Sequence, residues 1–142
     1  MKMHLNLATR DLAASVAFYQ TLLGANPSKT LADYALFITD EPGLELALDL
    51  DADARAGDGQ HFGIVVDSSA MVDVQLARFR KAGSPVELER EETCCYANQT
   101  KVWASDPDGR RWETYFVHAK TEDRDDDGAS CCTTPNPIAV TA

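Results

Sequence analysis

The sequence predicts an α+β fold built from two similar modules, each a strand, a helix and then further strands. Three observations carry that prediction. Strand-like alternation opens each half at a histidine, His4 and His61. An amphipathic helical stripe follows in each half and stops at a glycine, Gly24 or Gly83. The blocks FITDEPG and WASDPDG then recur at matching places, which marks an internal duplication. Neither half is large enough to bury its own sheet face, so two halves side by side should form a curved mixed sheet, a cup with the helices outside.

Element by element, Lys2 to Ala8 alternates Met3, Leu5 and Leu7 against His4 and Asn6, the mark of a half-buried strand. Asp11 is a natural N-cap for a helix carrying Leu12, Val16, Tyr19 and Leu22 on one stripe. Strands are expected at Tyr34 to Thr39 and Leu44 to Leu50, split by the turn Asp40-Glu41-Pro42-Gly43. After the polar linker DADARAGDGQ, His61 to Val66 reads as a strand and Ser69 to Ala82 as a helix with Val72, Leu76 and Phe79 inward. A short strand at Val86 to Arg90, a polar loop, and strands at Val102 to Ser105 and Trp112 to Val117 complete the second half. The fold should thus cover residues 1–118, with modules at about 1–50 and 60–118. Residues 119–142 lose apolar periodicity and read as a disordered acidic tail.

Thirteen basic residues face twenty-three acidic ones, a net charge of −10. That balance speaks against nucleic acid and anionic membrane as partners, since both attract positive patches. No run reaches transmembrane length, and MKMHLNLATR lacks the apolar stretch of a signal peptide, so the expected compartment is the cytoplasm. In a reducing compartment four cysteines point to metal, metalloid or redox chemistry before a disulfide framework.

Alternation places His4, His61 and Glu113 on the strand faces turned away from the helices. Two imidazoles and a carboxylate with open positions is the donor set of non-haem Fe(II) oxygenases. The duplication adds a test. Glu113 lies four residues after Gly109, and four residues after Gly43 stands Ala47, so the first half supplies no twin carboxylate. Glu45 shares that face but sits about 7 Å further along the strand. For each of these residues alone, an ordinary place on an open strand face is the simpler account.

Cys94 and Cys95 adjoin in the polar stretch EETCCYANQT, on what reads as an insertion absent from the first half. Neighbouring side chains of a regular strand point apart, so the two sulfurs act together only in a loop or a distorted strand. Two such thiolates can replace both exchangeable oxygens of a trivalent organoarsenical, and Lys101 nearby would favour thiolate over thiol. A redox-active vicinal disulfide, a Cd(II) or Zn(II) site, and unremarkable cysteines are the alternatives.

The block TCCYANQTKVWASDPDGRRWETYFV joins the thiol pair to the carboxylate, and with it the chain resembles the vicinal oxygen chelate superfamily of paired βαβββ modules. Within that superfamily it resembles the C–As lyases, non-haem iron dioxygenases that demethylate trivalent organoarsenicals; some similar proteins carry cadmium-induced or glyoxalase names. The resemblance covers about residues 1–118. It implies Fe(II) held by His4, His61 and Glu113, arsenic held by Cys94 and Cys95, and dioxygen (O2) as co-substrate. Tyr96, Gln99 and Lys101 fall in the implied substrate loop, and Cys131 and Cys132 are candidate accessory thiols. The implied partner is a small organoarsenical, with the protein a monomer or a module-swapped homodimer. Two rival readings stand beside it: non-catalytic thiol binding of Cd(II) or arsenite, and a glyoxalase-like or thiol-transferase metalloenzyme, which would want the fourth ligand that Ala47 does not give.

Overall fold

In the computed structural model, which describes residues 1–124, the duplication is realised as two βαβββ modules. The first contains β1 (Met3–Thr9), α1 (Leu12–Leu23), β2 (Lys29–Thr30), β3 (Tyr34–Thr39) and β4 (Leu44–Leu50). The second contains β5 (His61–Val65), α2 (Ser69–Lys81), β6 (Val86–Cys94), β7 (Ala97–Ser105) and β8 (Arg111–Lys120). Their sheets are separate four-stranded ladders with the same logic, ordered β1-β4-β3-β2 and β5-β8-β7-β6. In each, the first strand runs parallel to the last and the remaining pairs are antiparallel.

The helices form where caps and stripes direct them. The Asp11 side chain accepts the Ala14 N–H at 2.9 Å, and Gly24 closes α1 in the left-handed region that glycine enters without steric cost. In α2 the apolar stripe Val72, Leu76 and Phe79 is buried as expected, and Arg78, Arg80 and Lys81 complement the C-terminal end of the helix dipole.

A shared core joins the modules through their helix-bearing faces. The Phe18 ring of α1 meets Phe79 of α2 at 5.7 Å, and Tyr19 stacks edge-on against Trp112 of β8 at 5.7 Å. A buried polar knot reinforces this seam. Tyr19 donates its hydroxyl to Asp106 at 2.7 Å, Trp112 donates its indole N–H to the Tyr19 oxygen at 3.3 Å, and Arg110 donates to the Ala8 carbonyl at 2.7 Å. Asp108 holds Arg10 across the same seam at 3.1 Å. With its charges and hydroxyls partnered in this way, the turn between β7 and β8 fixes one module on the other. Each sheet leaves its second face, the one bearing His4 or His61, turned away from the helices.

Three boundaries differ from expectation. The two-residue strand β2 had no sequence signal, because two residues are too few to show alternation. The expected loop around the cysteines is instead the tip of a long hairpin: β6 runs on to Cys94 and β7 begins at Ala97. Polar residues continue these strands on both faces, with Gln99, Thr100 and Lys101 of β7 all buried, and the β-bulge between Glu89 and Glu92 breaks the alternation. Finally, β8 extends past 118 to Lys120, and Thr121 donates its backbone N–H to the Tyr96 carbonyl at 2.9 Å, so ordered structure continues beyond the expected tail boundary at 119. Cys131 and Cys132 lie outside the described residues.

Candidate active site

The hairpin tip positions the sulfur pair. Cys94 ends β6, while Cys95 and Tyr96 form the two-residue turn with φ of 55° and 65°. Such turns require positive φ at both central residues and normally employ Asn or Gly. Here Gln99 braces the turn, donating its side-chain N–H to the buried Cys94 carbonyl at 2.8 Å. The chain after β8 clasps it from outside: the Tyr96 N–H donates to the Arg124 carbonyl at 3.2 Å, and the Arg124 guanidinium lies 5.8 Å from the Tyr96 ring. Leaving strand geometry at Cys95 brings the two Sγ atoms to 3.3 Å, which regular alternation would forbid. Cys94 is buried and Cys95 is exposed.

Beside the turn, the second sheet gathers charge. Trp103 pairs with Glu113 in register, and Gly63 pairs with Glu113 from the other side. The His61 ring packs edge-on to Trp103 at 5.3 Å, which aims its Nε2 to within 3.6 Å of Glu113 Oε1. Gly63 makes that approach feasible, since a Cβ there would stand 3.1 Å from the same oxygen. Lys101, only 3% exposed, points its ammonium at Glu113 Oε2 from 3.3 Å and at Glu89 Oε2 from 4.0 Å. Both carboxylate oxygens are buried with no hydrogen-bond donor among the described residues. Burial lifts the Glu89 carboxyl above the usual range, with the Glu92 charge adding to the shift and the Lys101 charge opposing it. Burial and the Glu113 charge likewise lift Tyr115. A cavity of about 260 Å³ opens between these groups, lined among others by His61, Cys94, Cys95, Gln99, Lys101 and Glu113.

His4 stands apart. It projects from the open face of the first sheet, paired with Glu45 in register, its Nδ1 3.9 Å from Glu45 Oε2. Among the described residues no three metal-binding side chains converge. The duplication register is as expected: Asn6 pairs with Ala47 where Gly63 pairs with Glu113, so the first sheet has an alanine at the carboxylate's place. Glu45 lies directly across from His4 and, as its spacing requires, two residues before Ala47. His118 is exposed and shares a 2.8 Å hydrogen bond with Thr100.

The sequence profile of the Glyoxalase/Bleomycin resistance protein/Dioxygenase superfamily matches residues 3–114, nearly the whole of both modules. The chain belongs to that superfamily. It is 40% identical over 134 residues, 93% of this chain and 88% of the relative, to the trivalent organoarsenical cleaving enzyme of Thermomonospora curvata. It is 36% identical over 130 residues, 91% of this chain and 81% of the relative, to the enzyme of that name from Bacillus sp. (strain MD1). It is also 40% identical over 121 residues, 85% and 79% of the two chains, to the cadmium-induced protein CadI of Mycobacterium tuberculosis. Among solved structures, a glyoxalase/bleomycin resistance protein/dioxygenase from Alicyclobacillus acidocaldarius superposes with a TM-score of 0.68 at 22% identity, covering 84% of this chain and 92% of that one. The fosfomycin resistance protein FosX from Listeria monocytogenes gives 0.65 at 20%, covering 80% and 90%. These last two establish the superfamily fold alone.

The structure therefore gathers Cys94, Cys95, Gln99, Lys101, His61 and Glu113 of this superfamily member around one cavity, whereas Tyr96 is exposed and does not line it. It leaves His4 on the other sheet. Glu89, Trp103 and Gly63 had not been singled out from sequence. Their signal is the cross-strand register to Lys101 and Glu113, which no alternation pattern reveals.

Proposed function

We propose that this protein cleaves the carbon–arsenic bond of small trivalent organoarsenicals such as methylarsonous acid. The observation that carries the reading is the single cavity that places the Cys94–Cys95 sulfur pair beside His61 and Glu113. Its support from relatives is the pair of organoarsenical cleaving enzymes that are 36–40% identical over more than nine-tenths of this chain.

The donor set fits a divalent metal at His61 and Glu113: the Glu113 Oε2 atom is buried without a hydrogen bond, and an imidazole nitrogen stands beside its partner oxygen. Fe(II), held there with His4 as third ligand, would supply the one-electron chemistry that dioxygen needs. Within one chain His4 lies on the other sheet, and among the described residues no three metal-binding side chains come together. We assign the third position to His4 of a second copy, in a module-swapped homodimer whose exposed sheet face seats on the open side of the first.

The chain's own residues then do the following. Cys94 and Cys95, once reduced, exchange for the two oxygens of the arsenical and hold its carbon-bearing face toward His61 and Glu113. Gln99 keeps the Cys94 backbone fixed, so both sulfurs stay aimed inward. The Trp103 ring holds His61, and Gly63 leaves room for the Glu113 carboxylate. One methylarsonous acid and one dioxygen balance to one arsenous acid and one formaldehyde. A cavity of about 260 Å³ falls below the usual range for drug-sized ligands and favours the methyl compound over bulky aryl ones.

The test is reduced protein loaded anaerobically with Fe(II), given methylarsonous acid, then exposed to dioxygen while arsenic species are separated. Arsenite formed only with both iron and dioxygen is the expected result. A second reading, thiol sequestration of Cd(II) or arsenite, is favoured by the likeness to CadI. It needs the cysteines and not Glu113, so a Glu113→Ala protein that behaves like wild type would support it and overturn the lyase.

A further inference from the structure

The second sheet carries one ammonium between two buried carboxylates. Glu89 of β6, Lys101 of β7 and Glu113 of β8 lie on the same face, Glu89 directly across from Lys101 in register and Glu113 across from Trp103, two residues further along β7. Lys101 is almost wholly enclosed. Its Nζ sits 3.3 Å from Glu113 Oε2 and 4.0 Å from Glu89 Oε2, and 5.5 Å from the centre of the Trp103 ring. Glu89 is tied at its other oxygen by the Trp103 indole N–H at 3.0 Å. Its Oε2 is left buried, without a hydrogen bond, and facing the lysine.

Burying a lone carboxylate is costly, and so is holding an ammonium against a divalent cation. Without metal, the Lys101 charge neutralises Glu113, the carboxylate nearer to it. With metal on Glu113 that pairing becomes repulsive, and a second carboxylate stands within a small side-chain movement, already anchored by Trp103.

We infer that Lys101 is an internal placeholder for the divalent metal, pairing with Glu113 in the empty site and passing to Glu89 when metal binds. Glu89 and Lys101 are then positioning residues that set metal affinity: the lysine competes with metal for Glu113, and Glu89 relieves that competition. This rests on the proposed assignment of Glu113 as a metal ligand.

The two residues act with opposite sign, which a merely structural role would not produce. Chelator-competition titrations of the reduced full-length protein with Fe(II) under anaerobic conditions, and with Co(II) as a spectroscopic probe, read the affinity directly. Lys101→Met should tighten binding by about tenfold, and Glu89→Gln, which keeps the acceptor for Trp103, should weaken it by about tenfold. In the Lys101→Met background the Glu89→Gln effect should vanish. Lys101→Arg should remain near wild type, because the cation is retained. Both single variants shifting in the same direction, or neither shifting, overturns the placeholder role while wild-type binding upholds the metal site. Wild-type protein that binds neither ion overturns the metal assignment and this inference with it.

Discussion

The half-site arrangement can be tested by mixing two inactive proteins. His4→Ala removes the ligand on the first sheet, and Glu113→Ala removes the carboxylate on the second. His4 is paired with Glu45 on one open face and His61 with Glu113 on the other, so each chain offers two unlike halves. If a site is made from the first module of one copy and the second module of another, a mixed dimer holds one intact site and one doubly defective one. Random pairing of equal amounts makes half of the dimers mixed, so about one quarter of wild-type sites should return in the unsorted mixture and about one half in the purified mixed dimers. The assay is co-expression with two affinity tags, sequential purification, then Fe(II) stoichiometry and arsenite formation against wild type. Each parent alone should give neither. Tag-verified mixed dimers with no recovered iron and no turnover would refute an intermolecular site.

Other outcomes follow from single contacts. Tyr19→Phe removes the hydroxyl shared by Asp106 and Trp112 and should cost about 1–3 kcal/mol in urea unfolding. Burial, then the Asp106 carboxylate, hold that hydroxyl protonated well above the ordinary tyrosine range. Its stabilisation is thus intact below about pH 10 and lost as pH rises beyond it, a loss that should be shallower in Tyr19→Phe. Gly63→Ala pushes a methyl group into Glu113 and Tyr115 and should lower metal affinity with little change in melting temperature. Cys94→Ser or Cys95→Ser should abolish retention of methylarsonous acid on desalting while iron stoichiometry stays at the wild-type value; turnover by either variant would remove the sulfurs from the mechanism. Ending the chain after Arg124 should leave the melting temperature within a few degrees of wild type, whereas ending it after His118 should lower it by removing the clasp on Tyr96.

What the sequence disclosed was whatever leaves a periodic or repeated trace. The α1 and α2 stripes, the caps at Asp11 and Gly24, β3 and β4 to the residue, and the twin placement of His4 and His61 all follow from spacing. So does the alanine at position 47, whose register against Asn6 repeats that of Glu113 against Gly63. Spacing failed at the β6–β7 hairpin. There a bulge interrupts the alternation, polar residues occupy both faces, and the turn is Cys-Tyr rather than Asn-Gly, so a hairpin resembles a loop. The same failure hid Glu89, whose meaning comes from lying across from Lys101. Sequence also said nothing of how the modules pack, because the Tyr19–Asp106–Arg110–Ala8 knot joins residues about a hundred positions apart.

The misread turn and the candidate chemistry coincide for a physical reason. A side chain at positive φ costs about 1–2 kcal/mol relative to glycine, and two successive ones tax the hairpin twice. The surroundings hold the strained backbone in place through Gln99 on the inside and Thr121 and Arg124 on the outside. A glycine at 95 would relax the turn but would remove one sulfur, and a strand continued through 95 would turn that sulfur to the opposite face from Cys94. Only the left-handed turn satisfies both demands, neighbouring sulfurs and a shared direction. Strain kept where a cheaper residue was available points to use. Here that use requires two sulfurs 3.3 Å apart, at the mouth of a cavity that holds a histidine, a carboxylate and the lysine between them.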